Sequence, residues 1–590
     1  MSYPAFQTIH GEFEDLDVQP TFYDTDGSPV YETPYGGLIG DIVAKNDVAA
    51  LRLYHQNPKM NIWYEVYESP GWHPVFTAWE LQNFDVLRTM MEIYLEDPRF
   101  TEPLAKHLER LRFSPIEMAC AAANRDMTLW LLDRSLATLH DRDILGNTPL
   151  LSAAHGLGKD FMNPRDDSEI LAKDCCKHEH FICFLLDQGC SVQASSNYTP
   201  QRTGVKETGV EELKSTVLGA AIPHASYKMV SRLIAEGAEV HARQRWNDDN
   251  FFDIYDGIHR ITDGGNVTAL HIASYFWNVE AIHALFDNNG DMSIAEMASN
   301  TDDHGRVPLH WALLGIRNKP HEKPIKDETL SSRIETVKFL LEVNPDMINA
   351  RDKHGATVFN YAVKSDAPLQ NTLHIVKMLL DAKPRTLTLK TPEVVGVTAL
   401  EDAVTHHQHR YGKALDEGFL KLMNLLLDNG ADARLCLHRL CAYSWLDYLC
   451  PLLLGRLLDL SDTSVNETDS SGCTPMHYLV HHMDQKDAAH LLINRGADIN
   501  LNAINHAGNT PLHELLIRGS LLYRMDEKDE LPLPGQTKDY MERVRVEWLK
   551  MLMDAGGLMH QKNSAGKTPS QLLNERMERL VQIYRETTSG

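Results

Sequence analysis

At 590 residues the chain is several times longer than a single-core domain, which excludes a lone small module. Its composition, 43% hydrophobic and 24% charged, is that of folded globular proteins and excludes wholesale disorder. The formal charge of −25, from 57 basic and 82 acidic residues, disfavours non-specific binding to nucleic acid or to an anionic membrane.

Residues 1–35 hold acids and turn formers but neither Lys nor Arg, which predicts an irregular acidic tail. The first residues lack a basic stretch followed by an apolar one, so no secretory signal is expected. Over 36–112 the spacing predicts two helical pairs, Leu38–Gln56 and Pro74–Leu95. Aromatics at Trp63, Tyr64, Tyr67, Trp72, Phe76 and Trp79 are expected to pack there as a hydrophobic end cap.

From 113 to 435 a short segment recurs: Ser114-Pro115-Ile116, Thr148-Pro149-Leu150, Thr216-Val217-Leu218, Thr268-Ala269-Leu270-His271, Val307-Pro308-Leu309-His310, Thr357-Val358-Phe359 and Thr398-Ala399-Leu400. A degenerate copy at 436–470 predicts helices near Leu437–Leu446 and Leu449–Leu460. The second is broken by Pro451, Arg456 and Asp459 and is too short to span a membrane. The segment returns over 471–590 as Thr474-Pro475-Met476-His477, Thr510-Pro511-Leu512-His513 and Thr568-Pro569.

The physical logic of one unit can be read directly from the better copies. A Gly two residues before the Thr permits a tight turn, Thr begins a helix, and Pro sits where a missing N–H costs nothing. A second apolar helix follows and ends in a turn, as in the run Arg232–Gly237. Neither helix can bury its stripe alone, so neighbouring units must stack.

This pattern resembles the ankyrin repeat family, whose unit of about 33 residues carries a T-P-L-H-x-A signature. The resemblance covers roughly 36–585 and implies an all-α solenoid of about 11–13 helix-turn-helix units with short β-like fingers. Segments 158–178, 316–331 and 520–543 fall between the two helices of a unit, whereas 196–213 and 243–265 fall between units.

Other motifs do not support chemistry. Ala565-Gly566-Lys567-Thr568 lacks the upstream Gly of a phosphate loop. Asp24-Thr25-Asp26-Gly27 lacks the distal acid of a calcium loop, and Asp248–Asp253 reads as a solvated acidic stretch. Cys175, Cys176, His178, His180 and Cys183 have poor spacing for zinc, and a helical packing role is preferred. No catalytic frame is found, so neither enzyme activity, metal nor cofactor is expected. The nine scattered cysteines read as reduced thiols of a cytosolic or nuclear protein.

The resemblance implies a protein-interaction scaffold that holds a partner on its concave face. A regulatory adaptor or transcriptional co-regulator, and an atypical enzyme built on the insertions, are the alternatives. Carried onto this chain, the exposed family positions are histidine-rich and slightly cationic, which suits an acidic partner, increasingly so below pH ~6.5. The expected contacts are His304, Arg306, His354, Lys364, His406, His481, His482 and Arg518, with Tyr275 and Phe276 as aromatic anchors. The histidines of the signature, His271, His310, His477 and His513, are expected to be structural.

Overall fold

A computed structural model of the chain describes residues 20–588 except 24–26, 28, 31–36, 58–61, 64–72, 112, 144, 145, 160–167, 197–214, 247–263, 316–326, 365–367, 383–397, 405–416, 432, 434, 443–450, 460–463, 496–499 and 520–537. The fold is helix-rich. Among the described residues the sheets are two antiparallel hairpins, β1 (Phe22–Tyr23) with β2 (Pro29–Val30) and β3 (Gln244–Trp246) with β4 (Gly264–Val267). The chain divides into two compact units, Met1–Ala273 with Glu280–Asp291, and Ser274–Val279 with Met292–Gly590.

The first unit opens with α1 (Gly37–Ala44), α2 (Val48–Gln56), α3 (Pro74–Glu80), α4 (Phe84–Glu96) and α5 (Leu104–Arg110). Helix α1 packs on α3 and α2 on α4. Trp63 is buried here: its Nε1 donates to Met90 O at 3.2 Å and its ring meets Tyr94 and His107 edge-on. That is the packing role expected of the aromatic cluster. Tyr64, Tyr67 and Trp72 lie outside the described residues. The unit continues with α6 (Pro115–Ala121), α7 (Arg125–Asp133), α8 (Pro149–Lys159), α9 (Ser168–Asp187), α10 (Val217–Ala221) and α11 (Tyr227–Ala235), and α8 is packed between α6 and α10. Helices α12 (Ala269–Tyr275) and α13 (Val279–Asp287) follow in sequence.

The second unit holds α14 (Ile294–Ser299), α15 (Pro308–Leu314), α16 (Asp327–Val343), α17 (Val358–Val363), α18 (Leu369–Asp381), α19 (helical residues 399–404), α20 (Glu417–Asp428), α21 (Cys436–Ala442) and α22 (Pro451–Leu458). It ends with α23 (Pro475–Leu479), α24 (Lys486–Arg495), α25 (Pro511–Arg518), α26 (Lys538–Asp554) and α27 (Pro569–Thr588). Two layers of contact recur. Helices that begin at the motif pack on one another, α15 on α17 and α21, α23, α25 and α27 in succession. The helices that follow them pack likewise, α16 on α18, α18 on α20 and α22 on α24. Each apolar stripe is thus covered by its own partner and by the neighbouring pair.

At two of the insertions between the helices of a pair, those before α16 and α26, a buried arginine closes the end of the first helix. Arg333 of α16 donates to Leu313 O at 2.8 Å and to Asn371 Oδ1 at 3.0 Å. Arg545 of α26 donates to Leu515 O and Gly519 O, both at 2.9 Å. Cations there satisfy orphan carbonyls and complement the negative end of the helix dipole.

Candidate functional site

The described turns before Val307, Thr357, Thr474, Thr510 and Thr568 are each built by one Asp or Asn. Asp352 Oδ1 accepts the N–H groups of His354 at 2.9 Å and Ala356 at 2.8 Å, and Asp469 Oδ1 accepts those of Ser471 at 2.8 Å and Cys473 at 3.0 Å. The reversal uses a left-handed residue, Gly472 at φ +74°, which has no Cβ to clash. The rest of the same side chain meets the group nine positions on. Trp311 Nε1 donates to Asp302 Oδ2, the Tyr361 and Tyr478 hydroxyls donate to Asp352 and Asp469, and Asn505 Nδ2 donates to Glu514. Adjacent turns are tied together by backbone bonds, Lys353 N to His304 O at 2.8 Å, His506 N to Ser471 O at 3.0 Å and Ser564 N to Ala507 O at 3.2 Å.

The signature histidine couples one unit to the next. His477 Nδ1 accepts the Thr474 N–H at 3.0 Å and the Thr474 hydroxyl at 2.8 Å, while Nε2 lies 3.0 Å from Asn509 O. A carbonyl can only accept, so Nε2 carries the proton. His513 repeats this with Thr510 and with Lys567 O at 3.1 Å. In two units without the histidine, a side-chain amide takes its place. Asn360 Oδ1 accepts from Thr357, and Gln244 of β3 reaches over Gly219 to accept the Thr216 N–H at 3.0 Å. A Cβ on Gly219 would lie 1.9 Å from that Gln244 side chain, so the glycine and the glutamine stand in together for a histidine.

Residues 471–505 match the ankyrin repeat family model. The match takes in the Asp469-anchored turn from Ser471, the Thr474 to His477 cap and the helix α24 that follows. No curated protein matches the chain. Among solved structures, the complex of the Bd0816 predatory endopeptidase from Bdellovibrio bacteriovorus with immunity protein Bd3460 contains a similar chain. It is 14% identical over 46% of this chain and 98% of that chain, with a TM-score of 0.27, a likeness that carries no argument about function.

The geometry separates the expected contact residues into exposed and committed groups. His354 is exposed, His304 is half-buried, and Arg518 keeps 67% of its side chain in solvent beside Glu514. Lys364 is held 2.8 Å from Asp402, and His481 lies 3.2 Å from Glu514. His406 lies outside the described residues. Three expectations are corrected by burial. Arg306 is 2% exposed, because its Nε donates to Asp302 Oδ2 at 2.6 Å and its guanidinium stacks over Trp311. Tyr275 is 4% exposed against Trp311 and the half-buried Phe276, so it anchors the core. His482 turns inward, its Nε2 donating to Ala442 O at 3.3 Å, and burial pushes its imidazole down to about 4. A histidine that stays neutral supplies no cation to an acidic partner near neutral pH.

His481 and Arg518 converge on a group that sequence reasoning passed over. Glu514 is 3% exposed and accepts from Asn505 and Asn509 at 2.9 Å each as well as from His481. Burial alone would raise its carboxyl, but the bonds from His481, Asn509 and Asn505 and the charge of Arg518 outweigh it and hold the group at about 2. The sequence signal was available, since Glu514 follows His513 where other units place Trp311, Tyr361 or Tyr478. His178 is buried with Nε2 bonded to Ala121 O at 3.2 Å, Cys176 is exposed on α9, and among the described residues no group of three His, Cys, Asp or Glu is placed to hold a metal. Gly566 and Lys567 form a repeat turn around Asn563, with Lys567 Nζ 2.7 Å from Glu575. Asp24–Asp26 and Asp248–Asp253 lie outside the described residues.

Burial also sets a pH dependence. It pushes the His310 imidazole down to about 4 and lowers His477 and His513. The unfolded state protonates near 6.5 and the folded state only near 4, so His310 contributes full stability above 6.5 that is lost as pH falls toward 4. His310→Asn, which imitates Asn360, is expected to flatten the loss of thermal midpoint between pH 6.5 and 4 while changing the midpoint at pH 7 little. Melts by circular dichroism check it, and an unchanged acid slope would contradict the assignment.

Proposed function

We propose that the chain is a non-enzymatic protein-interaction scaffold, an array of stacked ankyrin-type repeats that holds a mixed-charge, predominantly acidic protein segment on its concave face. The observation that carries this reading is a division of labour among polar groups. The turn Asp or Asn, the cap Thr and the signature histidine are all spent inside or between units, which makes the turns rigid. The residues beside them, Lys353, His354, His506, Ile517 and Arg518, are exposed. Rigid display of cationic and apolar side chains favours an acidic segment with apolar anchors. No described helix is long and apolar enough to cross a membrane, and the cytoplasm or nucleus is the place of work that belongs to this reading.

The test is affinity purification with the full chain and with Lys353→Glu/His354→Glu/His506→Glu/Arg518→Glu. The quadruple variant is expected to keep its helical spectrum and melting midpoint, because these side chains are exposed, and to lose the proteins that the native chain retains. Retention of the same proteins at the same yield would overturn the placement.

A further inference from the structure

The end of the second unit leaves an apolar edge that a stacked array would cover. Four of the large apolar side chains exposed among the described residues lie there: Val546 at 58%, Met553 at 48%, Leu558 at 55% and Met577 at 50%. Val546 and Met553 lie four and eleven residues after Glu542, on one stripe of α26. Glu542 receives Arg576 of α27 at 2.9 Å, so that stripe faces the α27 side. In the preceding units this is where the next second helix packs, as α18 does on α16 and α24 on α22.

The stripe beside it carries charges of alternating sign. Arg543, Glu547, Lys550 and Asp554 are spaced at four, three and four residues, are exposed, and alternate in sign. Glu547 also meets Lys486 of α24 at 2.7 Å with 57% of its side chain in solvent. Laid antiparallel against a second copy of itself, α26 sets Arg543 opposite Asp554 and Glu547 opposite Lys550, and the two-fold axis repeats both pairs. The same operation brings Val546 of one copy to the level of Met553 of the other within one helical turn. A parallel pairing would set like charges together. We propose that α26, with the adjoining edge of α27, is a self-complementary interface through which two copies of this chain form a two-fold dimer.

Sedimentation equilibrium of the full chain across roughly 1–100 µM tests it, with charge-reversed variants chosen to leave the fold intact. The native chain is expected to reach twice its 66.7 kDa mass. Arg543→Asp should weaken association roughly tenfold, since it converts two exposed ion pairs into like-charge contacts. Arg543→Asp/Asp554→Arg should restore it, a result that a folding defect or an unrelated surface cannot give. Val546→Asp should abolish association with helicity unchanged. A native chain that stays monomeric throughout overturns the proposal. So does a dimer indifferent to both Arg543→Asp and Val546→Asp, or a single reversal that the double variant fails to rescue, since either assigns the contact to another surface or another occupant.

Discussion

Asp302→Ala is expected to destabilise the second unit by about 3–5 kcal/mol, the range for breaking a buried ion pair from one side. Asp302 accepts four donors: the N–H groups of His304 and Arg306, both at 2.8 Å, Arg306 Nε at 2.6 Å and Trp311 Nε1 at 3.0 Å. Alanine would strand a guanidinium that is almost wholly buried and release the turn that holds the next one. Asp302→Ala/Arg306→Met, which removes both charges, should recover much of the loss. Hydrogen exchange across 302–315, with urea midpoints for the three proteins, checks this. A double variant no more stable than Asp302→Ala would mean that the turn geometry, not the stranded charge, dominates.

Glu514→Ala is expected to cost about 2–4 kcal/mol and to change the character of the candidate site. The buried amide donor of Asn509 and the half-buried one of Asn505 would lose their acceptor, and an orphaned buried group costs roughly 1–3 kcal/mol. His481 and Arg518 would lose their countercharge as well. If the surface recruits acidic segments, partner recovery per folded molecule should rise in the variant while stability falls. A parallel fall in both would assign Glu514 to partner contact. Because its carboxyl is held at about 2, Glu514 stays ionised through the interval in which His310 titrates. The acid loss should therefore follow the buried histidines rather than Glu514.

Several features were legible without coordinates. The recurrence of Thr-Pro-Leu-His and the Gly before it specified turn, cap and first helix, because those residues act through their own backbone within a few positions. The structural assignment of His477 and His513 follows for the same reason. Contacts on the exposed face were less legible. Arg306 occupies a family surface position, yet Trp311 five residues on gives its guanidinium an aromatic face, and Asp302 gives it a countercharge. His481 and His482 are adjacent in sequence and part company in space, one toward Glu514 and the other toward Ala442.

The sequence by itself determined what is local and periodic: a helix-rich chain of recurring pairs, the cap and turn chemistry of the motifs, and the need for pairs to cover one another's apolar stripes. Tertiary structure alone decided which polar groups remain available. Gln244 replaces a histidine 28 positions away from Thr216, Arg545 closes a helix end 30 positions back, and His481 meets Glu514 across 33. Such pairings depend on how neighbouring units stack and how long the insertion between them is. No repeat period encodes either, so the exposed and committed members of one family position look alike until the chain is folded.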